Sequence, residues 1–209
     1  MYFNTKLLLS KMWEFVDRIV YINLDKRTDR NKIMTETVIP KFEEHLVTRF
    51  SAVENTNGAV GCYLSHIQVL QDAINLNVKN ILILEDDISW NRYDENYEKL
   101  KEMTNRPYDV IMLGGTAVKA NGDKVICSNC SHSYLVNGHY IQTLLNRFKE
   151  GLEQLINTSN YGDYALDQYW KPIQQRDNWL IMQPCMLYQL CGYSDIEKYY
   201  KEIDFKQSF

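Results

Sequence analysis

The sequence predicts an α/β fold whose mostly parallel central sheet is flanked by helices. Three observations carry this. Short apolar runs alternate along the chain with helix-period segments, one run (Ile81, Leu82, Ile83, Leu84) is continuously apolar, and that run stops abruptly at Glu85, Asp86 and Asp87. A continuous apolar strand is one covered on both faces, and alternation with helices is the pattern of a doubly covered sheet.

Taken in order, residues 18–24 (Arg-Ile-Val-Tyr-Ile-Asn-Leu) form a β-branched and aromatic run that ends at a charged segment, as a buried first strand does. Thr28 or Asp29 is placed to cap a helix through about Val38, ended by Pro40. From Leu64 to Leu76, the residues Leu64, Ile67, Leu70, Ala73, Ile74 and Leu76 recur mostly at three- and four-residue intervals, which predicts an amphipathic helix. Asn77 and Asn80 punctuate a turn into the strand at 81–84. Further strands are predicted at Tyr108–Leu113, closed by Gly114 and Gly115, and at Ser133–Val136, followed by a helix from about His139 to Phe148. No repeat or linker interrupts residues 1–209, so one domain is expected.

Composition narrows the function classes. With 209 residues, 45% of them apolar, the chain has enough material for a sizeable core. A net charge of −4 leaves no basic stripe for a nucleic-acid backbone, so no nucleic-acid partner is expected. A single diphosphate is a different matter, since one metal ion and a few donors suffice to hold it. The longest apolar run near the N-terminus is Leu7, Leu8 and Leu9, too short for a signal segment or a membrane span, so a cytoplasmic chain is expected. Five irregularly spaced cysteines suit reduced thiols. Cys127 and Cys130 with His132 resemble half of a zinc site, but a second ligand pair is missing.

The chemistry concentrates in four places. Three adjacent carboxylates at the end of a buried strand repel one another unless a cation or an exposed turn accommodates them, and strand ends are where α/β proteins bind ligands. Alternation along a persisting strand would turn Glu85 and Asp87 to one side. Gly58 and Gly61 open the amphipathic helix, where they either let backbone N–H groups approach a ligand or simply form a turn, and Ser65 and His66 follow. Arg27 and Arg30 after the first strand suit either a phosphate clamp or a solvated charged turn. Asp163 and Asp167 stand four apart, so a helix there would present both on one face, either as a general base or as helix-terminal charge.

Together and in this order these segments resemble glycosyltransferase family 25, which includes bacterial lipopolysaccharide and collagen hydroxylysine galactosyltransferases. The resemblance spans about residues 17–198. It runs through Ile22-Asn23-Leu24-Asp25-Lys26-Arg27-Thr28-Asp29-Arg30, Gly61-Cys62-Tyr63-Leu64-Ser65-His66 and Ile83-Leu84-Glu85-Asp86-Asp87, and through the later strands at Tyr108–Gly114 and Tyr134–Val136. Leu166-Asp167-Gln168-Tyr169-Trp170-Lys171-Pro172 and Ser194-Asp195-Ile196 resemble its C-terminal signatures.

The resemblance implies the single-domain nucleotide-sugar fold called GT-A and a UDP-sugar donor of galactose or glucose. It also implies manganese or a similar divalent ion, inversion at the anomeric carbon, and a glycan or hydroxylated protein as acceptor. On that basis Asp87 ligates the metal and Glu85 assists. Asn23, Arg27 and Arg30 surround the nucleotide, Gly61, Ser65 and His66 line the donor pocket with Glu85 and Asp86, and Asp167 is the base. A non-catalytic relative that binds nucleotide sugar or glycan is the alternative. A metal-dependent phosphohydrolase fits less well, because no phosphate-cradling glycine loop with lysine is present.

Overall fold

The computed structural model describes residues 13–196 and 199–201. The run at residues 7–9 lies outside them. Strand β1 (Arg18–Asn23) leads into α1 (Thr28–Ile33), a wider π-helical turn at Met34–Val38 and a tight turn at Ile39–Lys41, then β2 (Val47–Ser51). Helix α2 (Gly58–Asn75), β3 (Asn80–Glu85), β4 (Ile88–Trp90), α3 (Tyr93–Thr104) and β5 (Val110–Met112) follow. The hairpin β6 (Thr116–Asn121) and β7 (Lys124–Asn129) precedes β8 (Ser133–Asn137) and α4 (Gly138–Thr158). Short helices α5 (Tyr161–Tyr164), α6 (Leu166–Tyr169) and α7 (Lys171–Arg176) come next. Strands β9 (Trp179–Ile181), β10 (Leu187–Gln189), β11 (Gly192–Tyr193) and β12 (Tyr200–Lys201) complete the described chain.

The expected α/β class is the one observed. Eight strands form one sheet in the order β2-β1-β3-β8-β5-β9-β7-β6. The pairings run β2, β1, β3, β5, β9 and β6 in one direction, while β8 and β7 oppose them. Mostly parallel therefore holds for strand direction, but the sheet is mixed.

Both faces are covered, and residue alternation along the strands proves it. Val20, Ile22, Ile81, Ile83, Tyr134 and Val136 belong to the core beneath α2, α4 and α7. Their neighbours Ile19, Tyr21, Leu82, Leu84 and Leu135 belong to the opposite core, with Trp13, Met34, Val38 and the α3 residues Tyr97 and Leu100. The fully apolar run at 81–84 is explained by this double burial, since each of its side chains lacks any solvent exposure.

Several expectations need correction. The helix after β1 is not capped by Thr28 or Asp29: Arg27 occupies the cap position without a side-chain bond, and Pro40 sits inside the following tight turn. The helix after β8 runs to Thr158, ten residues past Phe148, because Leu152 and Leu155 continue the apolar stripe. Among the described residues, no helix is long and apolar enough to cross a membrane.

Candidate donor and metal site

Strands β1, β2 and β3 run parallel, so their carboxyl ends meet on one side of the sheet, beside the start of α2. An open cleft of about 950 Å³ lies there. Arg30, Gly61, Ser65, His66, Glu85, Asp86 and Asp87 line it, together with the rim pair Lys26 and Glu54 and the later residues Gln189, Ser194 and Asp195.

Asn23 and Arg27 are not among its lining residues. Asn23 is buried behind it, where Nδ2 donates to Asp86 Oδ2 (2.6 Å) and to the Arg27 carbonyl (3.1 Å), while Oδ1 accepts from Arg49 Nε (2.9 Å). Both ends of its amide are thus committed, with Asp86 as the carboxylate it holds. Arg27 grips Asp195 Oδ2 (2.5 Å) and Asp29 Oδ2 (2.8 Å), tying β1 to the segment around β11.

Gly58 and Gly61 at the start of α2 pack closely against neighbouring backbone. Asn57 caps the helix by accepting from the Ala59 and Val60 N–H groups, and its carbonyl accepts from Gly61, so those donors are spent. A Cβ on Gly58 would lie 2.7 Å from Ile196 Cα, and one on Gly61 would lie 2.6 Å from the Val53 carbonyl oxygen. Ser65 Oγ stitches the same wall, donating to the Gly61 carbonyl and accepting from Val53 N–H, each at 2.8 Å. Gly61→Ala is therefore expected to cost about 1–3 kcal/mol by overpacking against rigid backbone. Chemical denaturation measures this, and wild-type stability would refute it.

The three carboxylates occupy three different environments. Burial opposes the charge on Glu85, but His66 Nε2 at 3.5 Å and a hydrogen bond from Ser131 Oγ (2.7 Å) outweigh it and hold the carboxyl at about 2. Asp86 accepts from Asn23 and from Arg30 Nη1 (2.8 Å), yet burial still raises it above the usual carboxylate range. Asp87 is pushed up to about 6 by burial, against the pull of Arg30 at 3.1 Å; its Oδ2 also accepts from Gln189 Nε2 (3.1 Å). Its Oδ1 is buried with no hydrogen-bond partner among the described residues. A buried carboxylate oxygen left in this way is costly unless a cation completes it, so the oxygen donors of Glu85 and Asp87 fit a hard divalent ion.

A second pocket of about 640 Å³ adjoins the cleft, sharing Cys62, Glu85, Gln189 and Ile196 with it. Asp167 lies on its wall, where Oδ2 accepts from Cys130 N–H (3.0 Å) and Oδ1 from Gln168 Nε2 (3.2 Å). Asp163 does not share a face with it. Ala165 adopts extended geometry (φ −60°, ψ 151°) and separates α5 from α6, leaving Asp163 exposed and bonded to Asn160 (2.8 Å). Arg147 of α4 fixes α6 from behind, donating twice to the Tyr169 carbonyl (2.9 and 2.6 Å). Cys127, Cys130 and His132 do not converge as metal ligands among the described residues.

Residues 41–162 match glycosyltransferase family 25 (LPS biosynthesis protein). The chain belongs to this family. It is 29% identical over 134 residues to "Putative glycosyltransferase R655" of Acanthamoeba polyphaga mimivirus, covering 52% of this chain and 39% of that protein. It is 26% identical over 118 residues to "Probable inactive glycosyltransferase 25 family member 3" of Rattus norvegicus (51% and 19%). It is 22% identical over 185 residues to "Procollagen galactosyltransferase 2" of Homo sapiens (70% and 28%). This family 25 chain thus spans less than half the length of each of these relatives.

A crystal structure of a glycosyltransferase involved in glycosylation of the major capsid of PBCV-1 superposes with a TM-score of 0.55 at 14% identity, covering 87% of this chain and 95% of that one. The likeness extends to the fold and agrees with the GT-A-type expectation.

Sequence reasoning missed Gln189 and Ser131, and it singled out Cys130 for its thiol rather than for the N–H that reaches Asp167. Gln189 lies in a three-residue strand paired with β4, and Ser131 and Cys130 lie in a polar stretch; neither segment carries a periodic signal.

Proposed function

We propose that the chain is a metal-assisted, inverting hexosyltransferase, moving galactose or glucose from a UDP-sugar to a hydroxyl of a glycan or of a hydroxylated protein. The observation that carries this reading is the buried Asp87 Oδ1, without a hydrogen-bond partner among the described residues, at the cleft that Glu85 also lines. On this reading the nucleotide sugar occupies the cleft, with Gly61, Ser65 and His66 forming its wall and Arg30 near the diphosphate. Manganese, or a similar ion held by Asp87 and Glu85, supplies neutralisation of the charge that develops on the departing diphosphate.

Asp167 faces the adjoining pocket, which suits the acceptor. Its carboxylate takes the hydroxyl proton as that oxygen bonds to the anomeric carbon and the bond from that carbon to the diphosphate breaks. Asn23 and Arg27 act one layer back, Asn23 by orienting Asp86 and Arg27 by anchoring Asp195.

A non-catalytic binder is the second reading, favoured by Arg30, which already sits as counter-ion to Asp86 and Asp87. A thermal-shift panel tests both, using UDP-glucose, UDP-galactose, UDP-N-acetylglucosamine, GDP-mannose and UDP, each with and without manganese. A native-state ligand raises the midpoint by mass action. The expected result is a manganese-dependent shift with a UDP-hexose, accompanied by slow UDP release. A shift without UDP release selects the nucleotide-sugar binder, and no shift with any nucleotide overturns the transferase reading and leaves a glycan binder.

A further inference from the structure

Cys62 and His66 stand four residues apart on α2 and therefore project from one helix face. The end of β3 brings Glu85 opposite them. A Cys62 sulfur, a His66 ring nitrogen and a Glu85 carboxylate oxygen all lie within 4.8 Å of one another.

The spacing has chemical meaning. Nitrogen and oxygen ligands at about 2.0–2.2 Å from a tetrahedral zinc stand about 3.4 Å apart, and a sulfur at about 2.3 Å stands about 3.6 Å from the nitrogen. His66 Nε2 and Glu85 Oε1 are already 3.5 Å apart. The half-buried Cys62 thiol lies within 4.8 Å of both, so it needs an approach of at most about 1.2 Å to reach that spacing.

Outer partners are also in place. Tyr134 Oη lies 2.6 Å from His66 Nδ1 and its ring stacks on the imidazole, which leaves Nε2 directed at Glu85. Ser131 Oγ donates to Glu85. Metal-bound histidines and carboxylates are oriented in this way, by a hydrogen bond on the atom that does not bind the metal or by a donor to the carboxylate.

We propose that Cys62, His66 and Glu85 form a zinc-class site with its fourth position open to the cleft. A sulfur, nitrogen and oxygen set selects a borderline-soft ion, whereas manganese prefers oxygen donors. The site is separate from the Asp87 oxygen but shares Glu85 with it, so zinc occupancy withdraws Glu85 from a hard cation. It stands whether or not the chain transfers sugar.

The test is a Co²⁺ titration of the chelator-stripped full chain. A thiolate-to-cobalt charge-transfer band saturating at a single equivalent is expected, displaced by Zn²⁺ and not by Mn²⁺. Cys62→Ser should abolish the band. Tyr134→Phe should keep it and weaken zinc binding by about 10- to 100-fold, the usual loss for an outer partner, and Glu85→Gln should weaken it at least as much. Cys127→Ser and Cys130→Ser should leave the titration unchanged. Absence of the band in the wild-type chain, or its survival in Cys62→Ser, overturns the site. Should Cys62→Ser fail to fold, Glu85→Gln decides, and undiminished affinity there overturns it equally.

Discussion

Asp87→Ala is expected to abolish manganese-dependent binding of a UDP-sugar and leave the fold intact. Asp87 supplies the unpartnered oxygen and sits on the cleft wall, while Asp86 remains to neutralise Arg30. Stability should be unchanged or slightly higher at neutral pH, for a reason that pH dependence exposes. Burial raises the folded-state value to about 6 from an ordinary 3.8, so the folded state binds this proton more tightly than the unfolded one. Asp87 therefore favours folding at low pH, and that contribution is lost as pH rises through about 6. The same proton competes with the metal, so the manganese-dependent shift of the wild-type chain should fade as pH falls below about 6. Melting curves with donor, with and without manganese, measure all of this. A metal-dependent shift that persists in Asp87→Ala removes Asp87 from the metal site.

Asp167→Asn is expected to retain donor binding and lose transfer by about 10²- to 10⁴-fold, the usual contribution of a general base. The amide oxygen of asparagine can still accept from Cys130 N–H, so the loop between β7 and β8 keeps its anchor. Asp163→Asn is the control. Among the described residues its exposed side chain bonds with the neighbouring Asn160 alone, so the rate should not change. UDP release in the presence of acceptor gives the rate, and the thermal shift gives donor binding. Joint loss of binding and rate in Asp167→Asn, or a damaged Asp163→Asn, would move the base elsewhere.

What the sequence discloses depends on how much burial each segment enjoys. The strands at 18–23, 80–85 and 133–137 are covered on both faces, and their apolar runs announce them. The edge strand β2 is half-exposed and reads as mixed, and β9 is only three residues long. Helix α3 is dominated by charge, although Tyr93, Tyr97, Leu100 and Met103 form a stripe that its helical period could have disclosed.

The same division holds at the cleft. Carboxylates ending an apolar strand are a local signal, so Glu85, Asp86 and Asp87 are legible. Their inequality is not, because it comes from Arg30, Asn23 and His66, which reach them across the fold. Nor does any glycine or proline at Ala165 warn that the helix breaks between Asp163 and Asp167.

The position of β9 governs the order in which this molecule can be assembled on a ribosome. It lies between β5 and β7, so the β6–β7 hairpin has no place in the sheet until residues 179–181 emerge. At about 5–20 residues per second, the completed hairpin waits roughly 3–10 s for that strand. During this interval β5 is a bare edge, and Asp167, synthesised late in it, has an unanchored Cys130 loop to meet. A chain cut before Trp179 would keep the carboxylate triplet and its parallel neighbours, yet lose the frame that sets donor side against acceptor side.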